Sequence, residues 1–146
     1  FWRIIGLLIY GDKDHLYDTS TRTFRLPLIR ETLDRCGIAL HDTGREVRRL
    51  KDNASDKYLE IVTPVPLFEL LGRIPSCHTI ATTGEKAAGV IADLTSTTPP
   101  AMGKSVHDAV NGLDIWRMPS TSRAYPLPLE QKAAYYASLL RSVGII

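Results

Sequence analysis

The stretch Leu113-Asp114-Ile115-Trp116-Arg117-Met118, followed at once by Pro119-Ser120-Thr121-Ser122-Arg123-Ala124-Tyr125-Pro126, decides how this chain is read. The first six residues predict a strand that runs into a hydroxyl-rich loop bracketed by prolines, and Leu129 to Val143 then predicts a helix. Such a strand can hold the loop rigidly, so that Ser and Thr offer hydroxyl and backbone N–H donors to phosphate oxygens and Arg123 adds a planar cation. Pro, Ser and Thr also favour ordinary turns for local backbone reasons, and composition alone leaves that plainer reading open.

Working outward, Trp2, Ile5, Leu8 and Ile9 recur at helical spacing and Gly11 with Asp12 closes that element. Asp14 to Arg25 is polar and Thr-rich and reads as an excursion or short hairpin. Leu28, Ile29, Leu33 and Cys36 mark an amphipathic helix entered near Pro27 and ended by Gly37. Ile38 to Leu40 reads as a short buried strand. Pro64 and Pro66 introduce a helix carrying Leu67, Leu70, Leu71 and Ile74 on one side, which leads past Pro75 to a strand over Thr79 to Thr82. Thr83-Gly84 then opens a helix with Ala87, Val90, Ile91 and Leu94 inward. Thr95 to Lys104 reads as a surface loop, and Val106 to Val110 as a second short strand or edge. Short strands alternating with helices predict an α/β layered fold with a mainly parallel sheet. A ligand would then lie at the carboxyl ends of the strands, where His41-Asp42, Thr83-Gly84 and Pro119-Ser120-Thr121-Ser122 are expected to converge.

With 146 residues, 44% hydrophobic and 23% charged, the chain can bury one substantial core, and we expect a single domain over 1–146. A net charge of +2 permits nucleic-acid contact without demanding it. Arg45, Arg48, Arg49 and Lys51 cluster, either as a solvated helix face or as a footprint on phosphates. Cys36 and Cys77 lack metal spacing and read as free structural thiols of a reduced, cytoplasmic protein. The four histidines are scattered, so no metal is expected. No window holds 18 consecutive apolar residues, and no membrane span is expected.

Met118-Pro119-Ser120-Thr121-Ser122-Arg123-Ala124, with the Lys-containing segment Leu129-Glu130-Gln131-Lys132-Ala133-Ala134-Tyr135-Tyr136, resembles the last motif of the uracil-DNA glycosylase superfamily, most closely its hypoxanthine and uracil (deoxyinosine) glycosylase branch. Phe1-Trp2-Arg3-Ile4-Ile5-Gly6 resembles the family's first helix, and Gly37-Ile38-Ala39-Leu40-His41-Asp42-Thr43 its second strand region. Arg49-Leu50-Lys51-Asp52-Asn53-Ala54-Ser55-Asp56 is similar to its Gly-Ser-Leu-Asp-like loop, and Ala81-Thr82-Thr83-Gly84-Glu85-Lys86-Ala87 to a strand-to-helix junction where relatives carry Asn-Gly. The resemblance spans nearly the whole chain, in order. The family's first motif, a Gly- and Pro-rich loop that positions the hydrolytic water, should lie before Phe1, as should the main catalytic residue. The domain therefore reads as N-terminally truncated, without its first strand.

The resemblance implies a three-layer α/β/α fold and metal-free, cofactor-free hydrolysis of the bond between a deaminated base and deoxyribose, carried out by a monomer on DNA. A base within a duplex must first be flipped out. His41, Thr83 and Gly84 would line the base pocket, with Thr83 replacing an Asn and losing its two-pronged amide contact. Asp42 is the tentative catalytic carboxylate, for water or a sugar hydroxyl, with a turn or helix cap as the equal alternative. Arg48, Arg49, Ser55, Pro119, Ser120, Thr121, Ser122, Arg123 and Tyr125 would contact DNA. Asp56 reads rather as an N-cap, and Arg123 or Tyr125 could fill the gap left by the flipped nucleotide. Two alternatives remain: a catalytically inactive DNA-binding relative, and a hydrolase with Ser120 or Ser122 as nucleophile. The second lacks a Gly-x-Ser-x-Gly elbow and a placed His.

Overall fold

The computed structural model describes residues 1–51 and 59–146 and is a mixed α/β fold of five helices and three small sheets. The chain gathers into two compact units, 1–40 with 121–146, and 41–120.

The first unit is mainly helical. Helix α1 (Trp2–Tyr10) ends at Gly11, which is left-handed at φ 71°. Gly6 lies buried in it, and a Cβ there would come within 2.6 Å of the Asp12 carbonyl, so only glycine lets the returning chain approach the helix this closely. The expected hairpin is present as β1 (Tyr17–Asp18) paired antiparallel with β2 (Thr23–Phe24). Helix α2 (Leu26–Cys36) carries Pro27 in its first turn and stops at Gly37, φ 66°. Helix α5 (Leu129–Ser142) ends the unit. Ile5, Leu16, Ile29 and Leu140 form its core, with Trp2, Leu8 and Leu33 packed against them. Tyr10 Oη and Thr32 Oγ1 lie 2.6 Å apart, and the Thr32 hydroxyl donates to the Leu28 carbonyl at 2.8 Å. Burial holds the Tyr136 hydroxyl above its ordinary pKa.

Ile38 to Leu40 is not a strand. The Ile38 N–H turns back to the Leu33 carbonyl at 2.9 Å to close α2, and Leu40 is 51% exposed. The helix end thus takes the donor that a strand ladder would have used.

The second unit holds two sheets. Strands β3 (Gly44–Arg49) and β4 (Leu59–Pro64) form an antiparallel pair. The basic cluster therefore starts on a strand rather than a helix. Helix α3 (Leu67–Arg73) follows Pro64 and Pro66 as expected and leads to β5 (Thr79–Thr83). Helix α4 (Glu85–Thr95) buries Ala88, Ile91, Ala92 and Thr95, a stripe rotated from the expected one, of which Ile91 is shared. Strand β6 (Ser105–Asp108) and β7 (Leu113–Met118) complete a three-stranded sheet in the order β5-β7-β6. Its β5–β7 pair is parallel and its β6–β7 pair antiparallel. The expectation of a mainly parallel sheet is thus corrected to one parallel pair among the described strands, because the other connections are short enough to turn straight back. Val65, Leu67, Ile91, Leu113 and Ile115 form the core under this sheet. Between β6 and β7 the Asp108 carboxylate accepts from the Val110 and Asn111 N–H groups and from the Asn111 amide. Those bonds, the Asn111 amide first, hold the carboxyl below its usual pKa.

Among the described residues no helix is long and apolar enough to cross a membrane. Cys36 and Cys77 are both free thiols, half-buried.

Candidate functional site

The parallel strands β5 and β7 end side by side, with Thr83 opposite Met118. Along β5 successive side chains alternate faces. Thr82 turns inward, 4% exposed, and its hydroxyl donates to the Trp116 carbonyl at 3.0 Å. Thr83 is accordingly exposed, with its hydroxyl available at the strand end. Gly84 carries the ladder one step further, its N–H donating to the Met118 carbonyl at 2.9 Å, and it adopts φ 105° and ψ 170° before α4 begins. L-residues rarely adopt that conformation. A Cβ at Gly84 would lie 3.6 Å from Cβ of Ser120, an ordinary contact, so backbone angle rather than space demands glycine here. Pro119 is fully buried and Ser120 half-buried beside this junction. Two predicted elements, Thr83-Gly84 and Pro119-Ser120, thus meet at neighbouring carboxyl ends.

His41 and Asp42 do not belong to a strand end. Both are exposed and lead into β3 at its amino end, with His41 Nδ1 2.7 Å from the Asp42 carbonyl oxygen. The convergence of three strand ends is corrected to two, for the same reason that Ile38 to Leu40 forms no strand. Arg48 and Arg49 are exposed on β3, and Arg48 Nη1 faces Glu60 Oε2 across the hairpin at 3.9 Å. Ser55 and Asp56 lie outside the described residues.

The rest of the loop, Thr121 to Tyr125, belongs to the first unit. Its turn is closed locally: the Ala124 N–H donates to Ser122 Oγ at 3.2 Å and the Tyr125 N–H to the Ser122 carbonyl at 3.1 Å. Lys132 on α5 adds a charged anchor, its Nζ donating to the same Ser122 carbonyl at 2.9 Å and lying 5.5 Å from the Tyr125 ring centre. Lys132 is only 6% exposed. Sequence reasoning gave it no role, although it falls four residues before buried Tyr136, on the apolar face of α5. A cavity of about 400 Å³ opens beside this loop, and Trp2, Arg3, Tyr17, Arg123, Tyr125 and Lys132 lie in its wall. Thr121 reaches the same cavity, whereas Ser122 is turned to the loop's own backbone. Among the described residues no three His, Cys, Asp or Glu side chains group closely enough to hold a metal ion.

No protein-family model, curated protein or solved structure matches this chain. Within the second unit the site offers an exposed threonine and a glycine junction against a serine.

Proposed function

We propose that the chain is a DNA glycosylase-like domain that acts, with no metal or redox cofactor, on a uracil or hypoxanthine flipped out of DNA. The observation that carries this reading is the exposed Thr83 at the end of β5, paired with Met118 and followed by the Gly84 junction beside Ser120. Chemistry at a base needs donors and acceptors fixed where charge develops as the glycosidic bond breaks. Thr83 at a rigid strand end meets that requirement for one edge of a base. The loop after Ser120 supplies what extrusion of a nucleotide needs, a side chain to occupy the vacated stack, in Arg123 or Tyr125. Asp42 remains the carboxylate assigned to water or sugar in this reading, from its sequence context. Arg48 and Arg49 would screen phosphates from the exposed hairpin.

The test is alkaline strand scission on labelled oligonucleotides carrying uracil, hypoxanthine or only normal bases. Abasic sites at uracil or hypoxanthine are expected from the chain restored upstream of Phe1, reduced at least about tenfold by Thr83→Ala. Retained DNA binding without scission would favour the inactive DNA-binding relative, and loss of both from folded protein would overturn the reading.

A further inference from the structure

The base-release reading uses Arg123 or Tyr125 only to fill the vacated stack and assigns no ligand to the cavity of the first unit, whose wall is unusual in charge. Three cations, Arg3, Arg123 and Lys132, line it with several aromatic rings, and no carboxylate does. Arg3 is already committed, with Nε 3.2 Å from Asp14 Oδ1 and its guanidinium 5.6 Å from the Tyr17 ring centre. Arg123 and Lys132 have no carboxylate partner among the described residues. Lys132 is the more telling of the two. A buried ammonium is costly unless it is fully satisfied, yet among the described residues it has one acceptor, the Ser122 carbonyl, beside the Tyr125 ring and the like-charged amino group of Phe1, and an ammonium has three hydrogens to donate. The volume of about 400 Å³ falls within the range of small-molecule pockets, roughly 300–1,000 Å³.

An anionic group beside a flat apolar body fits this combination. A phosphate would take the remaining Lys132 hydrogens and the planar fork of Arg123. The aromatic side of the wall, at Trp2 and Tyr17, suits a ring that stacks. We infer that the cavity is a nucleotide subsite for a nucleoside 5′-monophosphate unit, its phosphate on Arg123 and Lys132 and its base against Trp2 and Tyr17. The unit is either a free nucleotide or one nucleotide of a strand, and the inference holds whether or not the domain releases bases.

Trp2 reports on the cavity directly. In Trp116→Phe protein, which leaves Trp2 as the sole tryptophan, fluorescence is titrated with deoxyadenosine 5′-monophosphate, deoxyadenosine, inorganic phosphate and a short single-stranded oligothymidylate. Equilibrium dialysis of labelled deoxyadenosine 5′-monophosphate against the unsubstituted protein gives a readout independent of that background. Saturable quenching by the monophosphate, at least about tenfold tighter than by deoxyadenosine, is expected, and Arg123→Ala should remove the difference. Tighter binding of the oligonucleotide than of the monophosphate assigns the unit to a strand, and the reverse order to a free nucleotide. Equal binding of nucleoside and monophosphate, no saturable binding of either, or an unchanged preference in Arg123→Ala would overturn the subsite. Arg123 is exposed, so that variant is not expected to unfold the protein. Scission lost with nucleotide binding kept would separate failure of the glycosylase reading from failure of this one.

Discussion

The two sheets of the second unit are built from similar lengths of chain and are stabilised in different ways. In β3–β4 no described side chain is fully buried, Val47 is 46% exposed, and oppositely charged residues face each other across the pair. In β5-β7-β6 the central strand buries Leu113 and Ile115 on one face and Met118 on the other, and is hydrogen-bonded to both neighbours. The first is held mainly by its ladder and the second by its core. Only the second can fix a catalytic or binding group to within a fraction of an ångström, and it is the one that ends in Thr83-Gly84 and Pro119-Ser120.

The contrast can be broken most directly in the core. Ile115→Ala should destabilise the protein by about 2–5 kcal/mol, and Val47→Ala by less than about 0.5 kcal/mol, as read from urea midpoints. Equal costs would put the two sheets on the same footing. Next in size is Gly84→Ala, for which the φ of 105° predicts a loss of about 1–3 kcal/mol in thermal unfolding although the added methyl has room. Thr82→Val keeps the shape but leaves the Trp116 carbonyl without its hydroxyl donor, and about 1 kcal/mol should be lost. Across β3–β4, a double-mutant cycle on Arg48 and Glu60 should return a coupling below about 0.5 kcal/mol that vanishes in high salt. The smallest difference is expected in acid. Because the native pKa of Asp108 is lowered from 3.8, its contribution is complete at neutral pH and is lost as pH falls below 3.8 through the lower native pKa. Asp108→Asn should therefore flatten the acid limb of a stability profile measured between pH 7 and pH 2.5.

The same contrast explains what could be read from the residues. Helices α1, α2 and α3 were legible because their apolar spacing is bracketed by Gly11, Pro27, Gly37 and Pro66, residues whose backbone preferences leave few alternatives. Strand β7 was legible because Leu113, Ile115, Trp116 and Met118 crowd apolar side chains into six residues. Strand β3 was not, since Arg45-Glu46-Val47-Arg48-Arg49 has a single apolar residue and becomes a strand only by pairing with β4. At Ile38 to Leu40 the apolar triplet predicts a strand, but the end of α2 claims its first N–H. Within the site, Thr83-Gly84 was visible as a strand-to-helix junction. Lys132 was not, because a lysine on a helix usually lies in solvent and its anchoring bond depends on a carbonyl ten residues away.

The register of the central sheet also sets an order in time. Asp108 pairs with Leu113 across a tight turn, whereas Thr79 must find Asp114 after the whole of α4 and β6 has intervened. Closing the longer loop costs roughly 2 kcal/mol more in chain entropy, and native contacts return that only after closure. Strands β6 and β7 can therefore zip together early, while β5 docks late, so the Thr83-Gly84 junction is among the last parts of the sheet to appear as the chain folds.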